Sequence, residues 1–133
     1  MVRRTKKIIL DTNFLMIPAT LGVDIFGEID RICQFNYELC VLDKSIEELN
    51  KIVKKSKGRE KRAAKTSLAL IKRKNIKIIN TKEKNLDVDS ILLKKAKEGA
   101  IIATQDIKLK KDLRKAKAKC ITLRQKKYLI FCE

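Results

Sequence analysis

Five short runs rich in Ile, Leu and Val, at 6–10, 37–42, 76–79, 100–103 and 120–123, alternate along this chain with longer stretches of helical periodicity at about 22–34, 43–56, 60–73, 88–98 and 107–117. Apolar runs this short read as buried strands. A helix between successive strands is the connection that parallel strands need, and it leaves both faces of the sheet covered. The expected fold is therefore α/β, with a central, mostly parallel β-sheet between helical layers. The punctuation agrees: Asp43 offers a carboxyl-bearing N-cap before Lys44-Ser45-Ile46-Glu47, Gly58 separates two periodic stretches, and Gly99 closes the helix before the fourth strand. Pro18 suits a loop or a first helical turn, and residues 82–87 are the expected loop. No Ser/Gly/Pro-rich linker divides the chain, so residues 1–133 are expected to form one domain.

In 133 residues the chain carries 33 Lys and Arg against 16 Asp and Glu, a net charge of +17. With 44% hydrophobic residues it is too apolar for a disordered basic tail. The positive field attracts polyanions, and nucleic acid is the expected partner ahead of an anionic membrane. The longest uninterrupted apolar run, Tyr128–Cys132, has five residues, far short of the roughly 20 that span a bilayer, so no membrane segment is expected. The basic stretch from Met1 to Lys7 is followed by only three apolar residues before Asp11, which lacks the apolar core of a signal peptide. A cytoplasmic location is the expectation.

Histidine is absent, which removes the Ser-His-Asp triad and any histidine general base. Cys33, Cys40, Cys120 and Cys132 include no CxxC pair; neither zinc finger nor zinc ribbon fits, and all four are expected as buried free thiols. Any catalysis must then rest on carboxylates or a metal they hold.

The positions of the acids sharpen this. Open parallel sheets bind ligands beyond the C-terminal ends of their strands, where the strand order switches. Asp11 and Asp106 follow the first and fourth apolar runs. Asp89 shares a helical face with Leu92, Leu93 and Ala96, an unusual place for a carboxylate, whereas Asp87 falls outside that stripe and reads as a capping or exposed acid. In the helix with apolar positions Ile46, Leu49, Ile52 and Val53, Glu48 lies at the margin of the apolar arc and Glu47 points to water. Asp11, Glu48, Asp89 and Asp106 are thus candidates to converge. Clustered carboxylates repel one another unless neutralised, and an all-oxygen donor set suits Mg2+ or Mn2+.

Four stretches in order, Ile8-Ile9-Leu10-Asp11-Thr12-Asn13-Phe14-Leu15, Ser45-Ile46-Glu47-Glu48-Leu49, Asp89-Ser90-Ile91-Leu92-Leu93-Lys94-Lys95-Ala96 and Ile101-Ile102-Ala103-Thr104-Gln105-Asp106, resemble the motifs of PIN-domain ribonucleases over essentially the whole chain. Within that family the chain is similar to small archaeal proteins of the VapC toxin type and to the PIN domain of the small-subunit processome nuclease that matures rRNA. The resemblance implies a three-layer α/β/α sandwich and a Mg2+- or Mn2+-dependent endoribonuclease for single-stranded RNA. It implies catalytic roles for Asp11, Glu48, Asp89 and Asp106, metal ligation by Asp11, Asp89 and Asp106, and positioning of water, metal or phosphate by Asn13 and Thr104. Many relatives carry a further acid where this chain has Lys108, which weakens a complete second metal site. Paired protomers in the family suggest a homodimer, and the toxin reading adds a small antitoxin protein as partner.

Phosphodiester hydrolysis by water would leave a 5′-phosphate and a 3′-hydroxyl, with Glu48 orienting or deprotonating the water. Lys108, Lys110, Lys111, Arg114 and Lys115, with residues 54–74 as a second patch, would grip the RNA backbone without reading bases. A dehalogenase-like phosphatase wants a second acid where Asn13 stands, a response receiver wants an early acidic pair, and no glycine-rich phosphate loop is present. The main alternative is a catalytically idle RNA-binding protein of the same fold, acting in ribosome assembly.

Overall fold

The computed structural model of this chain describes residues 5–132. Its strands are β1 (Lys6–Leu10), β2 (Tyr37–Leu42), β3 (Lys77–Ile79), β4 (Ile101–Ala103), β5 (Cys120–Arg124) and β6 (Tyr128–Cys132). They form one sheet in the order β3-β2-β1-β4-β5-β6, in which β1 to β5 run parallel and β6 returns antiparallel to β5 along the edge. The helices are α1 (Thr12–Leu15), α2 (Ile17–Leu21), α3 (Ile25–Ile32), α4 (Asp43–Lys55), α5 (Gly58–Arg73), α6 (Val88–Lys97) and α7 (Ile107–Lys115).

Period-two alternation splits the strands between two cores. Ile8, Leu10, Val41, Ile101 and Ala103 face Phe14, Ile25, Ile29, Leu49 and Ala64 on the layer built from α1 to α5. Ile9, Cys40, Leu42 and Ile102 face Ile91, Leu92, Leu109 and Leu113 of α6 and α7. At about 1.5–3 kcal/mol for each large apolar side chain fully buried, these two cores supply the main favourable term of folding. The result is the three-layer α/β/α sandwich that the motifs implied. Between β1 and β4 the chain changes the side of the sheet on which it builds, so the switch point falls at the C-terminal ends of those two strands.

Several local expectations change. The helix expected at about 22–34 is shorter, Ile25–Ile32: Gly22, at φ +69°, closes α2, and α3 begins only after Asp24, whose carboxylate accepts from the Gly27 N–H at 3.1 Å. Two short helices, α1 and α2, occupy the stretch after Asp11, with Pro18 in the first turn of α2. Asp43 is the first residue of α4, one position inside the expected cap; its carboxylate accepts from the Lys44 N–H at 2.8 Å and also from the Thr81 N–H and hydroxyl at 3.2 and 2.9 Å. The four cysteines are not all free thiols. The β5–β6 register sets Cys120 opposite Cys132 with Cα atoms 5.2 Å apart, within disulfide reach, and the two are bonded; Cys33 and Cys40 stay free and buried. Tyr128–Cys132 is an edge strand, and the edge-facing backbone groups of the buried Leu129 are capped from α3: the Leu129 N–H donates to Glu28 Oε1 at 2.9 Å and Arg31 Nη2 donates to the Leu129 carbonyl at 3.1 Å. Among the described residues no helix is long and apolar enough to cross a membrane.

Candidate active site

Asp11 is the first residue beyond β1, and its N–H donates to the Ala103 carbonyl of β4 at 2.9 Å, so its backbone spans the switch point. Its carboxylate caps α1 by accepting from the Thr12 N–H at 2.8 Å, and its other oxygen accepts from the Thr104 hydroxyl at 2.8 Å. Thr104 is fully buried and fully committed: the same hydroxyl oxygen accepts from the Asp106 N–H at 3.0 Å. One buried hydroxyl therefore fixes both strand-end acids. Thr104 has no free surface, so its direct contacts are with these two acids. Asp106 caps α7, accepting from the Leu109 N–H at 2.8 Å through one carboxylate oxygen.

Asp89 rides in the first turn of α6, behind Asp87, which caps that helix through the Ser90 N–H at 2.8 Å. Burial of Ile91, Leu92 and Ala96 against the sheet turns Asp89 into partial burial. Glu48 and Glu47 are both exposed, so burial does not separate them. Contact does: Glu48 Oε1 accepts from the buried Thr12 hydroxyl at 2.9 Å. Both glutamates, with Lys44, Lys51, Asp87 and Asp89, line an open cleft of about 410 Å³. A second cleft, of about 390 Å³, lies by the N-terminal ends of β1 and β4 with Lys6, Lys7 and Lys95, and Glu98 is its one acid.

The structure thus brings Asp11, Thr104 and Asp106 together through direct contacts and ties Glu48 to the same loop through Thr12. Asn13 does not join them: it is exposed, and among the described residues it makes no side-chain hydrogen bond. Its neighbour Thr12 does, through its bond to Glu48. The signal was present, since a hydroxyl directly after a strand-end acid can reach back over the strand ends, but only the docking of α4 shows what it holds. Gln105 was also missed; its side-chain oxygen accepts from the Thr122 hydroxyl at 2.7 Å and the Leu123 N–H at 2.6 Å, pinning the Thr104–Asp106 loop to β5. Lys44 pins the loop leading to Asp89, donating to the carbonyls of Glu83 at 2.8 Å and Leu86 at 2.6 Å.

Electrostatics register the convergence. Burial raises the Asp11 carboxyl above its ordinary range, opposed by the hydrogen bonds from Thr104 and Thr12 and reinforced by the charge of Asp106. Asp89 is pushed up to about 6, first by burial and then by the charges of Asp106, Asp11, Asp87 and Glu48. Because this native value lies above the ordinary 3.8, ionising Asp89 costs stability as pH climbs through that window, even with Lys44 and Lys51 on the cleft wall. In chelator, wild-type protein should lose stability between pH 5 and 7.5, and Asp89→Asn should remove part of that loss. The recovery should be on the order of 1 kcal/mol, discounted for partial exposure, or a few degrees in Tm. Identical Tm differences between the two pH values in wild type and variant would show that Asp89 does not feel its neighbours.

Among the described residues no group of three or more Asp, Glu or Cys side chains stands close enough to form a ready cation cage. The donor chemistry nevertheless suits a hard divalent cation: Asp11 and Asp89 are carboxylates whose ionisation the protein opposes, and a cation would relieve that cost.

In doubly wound α/β sheets the ligand site lies beyond the C-terminal strand ends at the switch point, which is where these two strand-end acids stand. Comparison makes this specific: the family described as PIN like domain matches residues 8–126, and the chain belongs to that family. It is 35% identical over 124 residues to Ribonuclease VapC4 of Methanocaldococcus jannaschii, covering 92% of this chain and 93% of that one. In fold it is similar to the PIN domain endonuclease Utp24, with a TM-score of 0.75 at 20% identity over 94% of this chain and 90% of that chain. A domain of a functionally unknown protein from Methanocaldococcus jannaschii shares the fold with a TM-score of 0.62 at 17% identity, over 90% and 92% of the two chains.

Proposed function

We propose that this chain is a metal-dependent endoribonuclease that hydrolyses phosphodiester bonds of single-stranded RNA. The observation that carries the reading is the pair of strand-end acids, Asp11 and Asp106, tied by Thr104 at the switch point of a PIN-like sheet, and the opposed ionisation of Asp11 and Asp89 suits a site that receives positive charge. Asp11, Asp89 and Asp106 would hold Mg2+ or Mn2+, which when bound offsets charge growing on the phosphate and lowers the pKa of water. Glu48, oriented by Thr12, takes a proton from the attacking water. Thr104 keeps Asp11 and Asp106 in register while substrate binds. With no histidine in the chain to manage a 2′-hydroxyl proton, water is the nucleophile, and the products carry a 5′-phosphate and a 3′-hydroxyl. The likeness to Ribonuclease VapC4 favours a toxin role, with a small antitoxin protein as partner, over rRNA maturation.

The test is cleavage of an unstructured RNA by purified protein. Cutting in Mg2+ or Mn2+ that stops in chelator and in Asp11→Asn/Asp89→Asn, together with metal binding that the same double variant loses, is the expected result. RNA binding without cleavage in either metal would overturn it in favour of the idle RNA-binding protein. Co-purification of the product of an adjacent small gene would separate toxin from processing enzyme.

A further inference from the structure

The cations of this protein are not distributed alike. Among the described residues four of them are held in ion pairs: Arg31 of α3 by Glu28 at 2.9 Å, Lys77 of β3 by Glu38 at 3.7 Å, and Lys94 and Lys95 of α6 by Glu83 at 2.8 Å and Glu98 at 3.8 Å. Residues 51–65, the end of α4 and the start of α5, hold eight cations, Lys51, Lys54, Lys55, Lys57, Arg59, Lys61, Arg62 and Lys65, against the single acid Glu60. Among the described residues none of these eight makes a salt bridge, and all but Lys61 are exposed. So many unpaired like charges on one hairpin repel one another in the free protein, a cost that a polyanion removes.

Their placement has a direction. On α4, Glu48, Lys51 and Lys55 fall at i, i+3 and i+7, one face of the helix, and Glu48 and Lys51 both line the acidic cleft. From Glu48 to Lys55 is about 10 Å along the axis at 1.5 Å per residue. On α5, burial of Ala63, Ala64, Ser67 and Ile71 leaves Arg59, Arg62 and Arg73 on the outward face. The stripe stops at Lys74, whose ammonium sits over the Phe26 ring, 5.2 Å from its centroid.

Resting on the ribonuclease reading above, we infer that the α4–α5 hairpin is a second binding surface, which takes the sugar-phosphate backbone of the RNA strand flanking the scission point, entering from the cleft at Lys51. The surface suits a nucleic-acid backbone better than a protein partner. Protein interfaces centre on apolar and aromatic anchors, and the exposed large hydrophobic residues, Leu21, Phe35, Ile78, Leu86 and Ile107, all lie outside residues 51–74. Phosphate contacts need only charge, and they bind without regard to sequence.

The test is binding rather than cleavage: fluorescence anisotropy of unstructured RNAs of about 6 and about 20 nucleotides, with Lys55→Glu/Arg59→Glu/Arg62→Glu. The logarithm of affinity should fall with the logarithm of salt concentration with a slope shallower by about 2 for the longer RNA in the variant, as three phosphate contacts of a single strand are lost. The affinity gained on lengthening the RNA should shrink at least 10-fold relative to wild type. Lys55→Gln/Arg59→Gln/Arg62→Gln, which removes charge without reversing it, should show the same length effect at smaller size, on chains verified as folded by circular dichroism. Equal losses for both lengths, an unchanged slope, or a variant that loses an acidic protein partner while keeping long RNA would overturn the proposal. Because binding is read without turnover, a chain that never cleaves RNA still decides this inference, and a chain that cleaves without the length effect refutes it alone.

Discussion

Glu48→Gln should lower single-turnover cleavage of single-stranded RNA at saturating Mg2+ or Mn2+ by about 10²-fold or more, the range of a lost general base, while Glu47→Gln stays within a few-fold. The two residues are adjacent, both exposed, and both on the wall of the same cleft, so neither local charge nor accessibility predicts a difference. The difference lies in one contact. Glu48 is held by the Thr12 hydroxyl at 2.9 Å, and Thr12 in turn donates its N–H to Asp11, so Glu48 is fixed relative to the buried acid. Glutamine retains an oxygen that can accept from Thr12, so the fold should persist while the charge and the basic site are lost. Thr12→Val then serves as the positioning control: it should cut the rate by a smaller factor and leave metal affinity close to wild type. A Glu47→Gln loss as large as that of Glu48→Gln would remove the basis for assigning the proton transfer to Glu48.

Phe14→Ala should be the most destabilising single truncation in the chain. Phe14 is the largest of the fully buried side chains, 0% exposed, and it sits three residues after Asp11 in the core shared by β1, α3 and α4. Loss of a buried phenylalanine costs about 3–5 kcal/mol through lost transfer energy and the cavity left behind. Against a typical total of about 5–15 kcal/mol this brings the protein close to unfolding, and Tm should drop by on the order of 10 °C or more. Phe35→Ala is the comparison: Phe35 is 38% exposed and meets Phe131 only across 6.5 Å between ring centroids, so its removal should cost about 1 kcal/mol or less. Equal thermal shifts for the two variants would mean that the segment after Asp11 is not packed as described. Since that segment also carries Thr12, Phe14→Ala should weaken the site and the fold together.

The strand positions and the longer helices were legible because burial imposes a period that shows within a few residues. Ile8, Ile9 and Leu10 form a solid apolar run because both faces of β1 are covered, and the capping role of Asp87 follows from its phase against the α6 stripe. Within 22–34 only the bounds of the helix shift, because Gly22 closes α2 in a left-handed turn and Asp24 caps α3 at Ile25. Thr12 and Asn13 both stand beside Asp11 in the motif, and only the packed α4 reveals that Thr12 has an acceptor, Glu48, opposite it. The cysteines were unreadable for the same kind of reason: the 12-residue gap between Cys120 and Cys132 carries no signal until the β5–β6 register sets them face to face.

By itself, then, the sequence determined the α/β class, a sheet covered on both faces, the absence of any histidine-based chemistry and the identity of the strand-end acids, since each depends on residue type and local period. The tertiary structure decided which groups hold one another: Thr12 with Glu48 across 36 residues, Thr104 with Asp11 across 93, and the two clamps that tie the site loops to α4 and β5. Those pairings follow from strand order, register and helix docking, which are set by the whole set of cooperating contacts and leave no periodic mark on the segments they join.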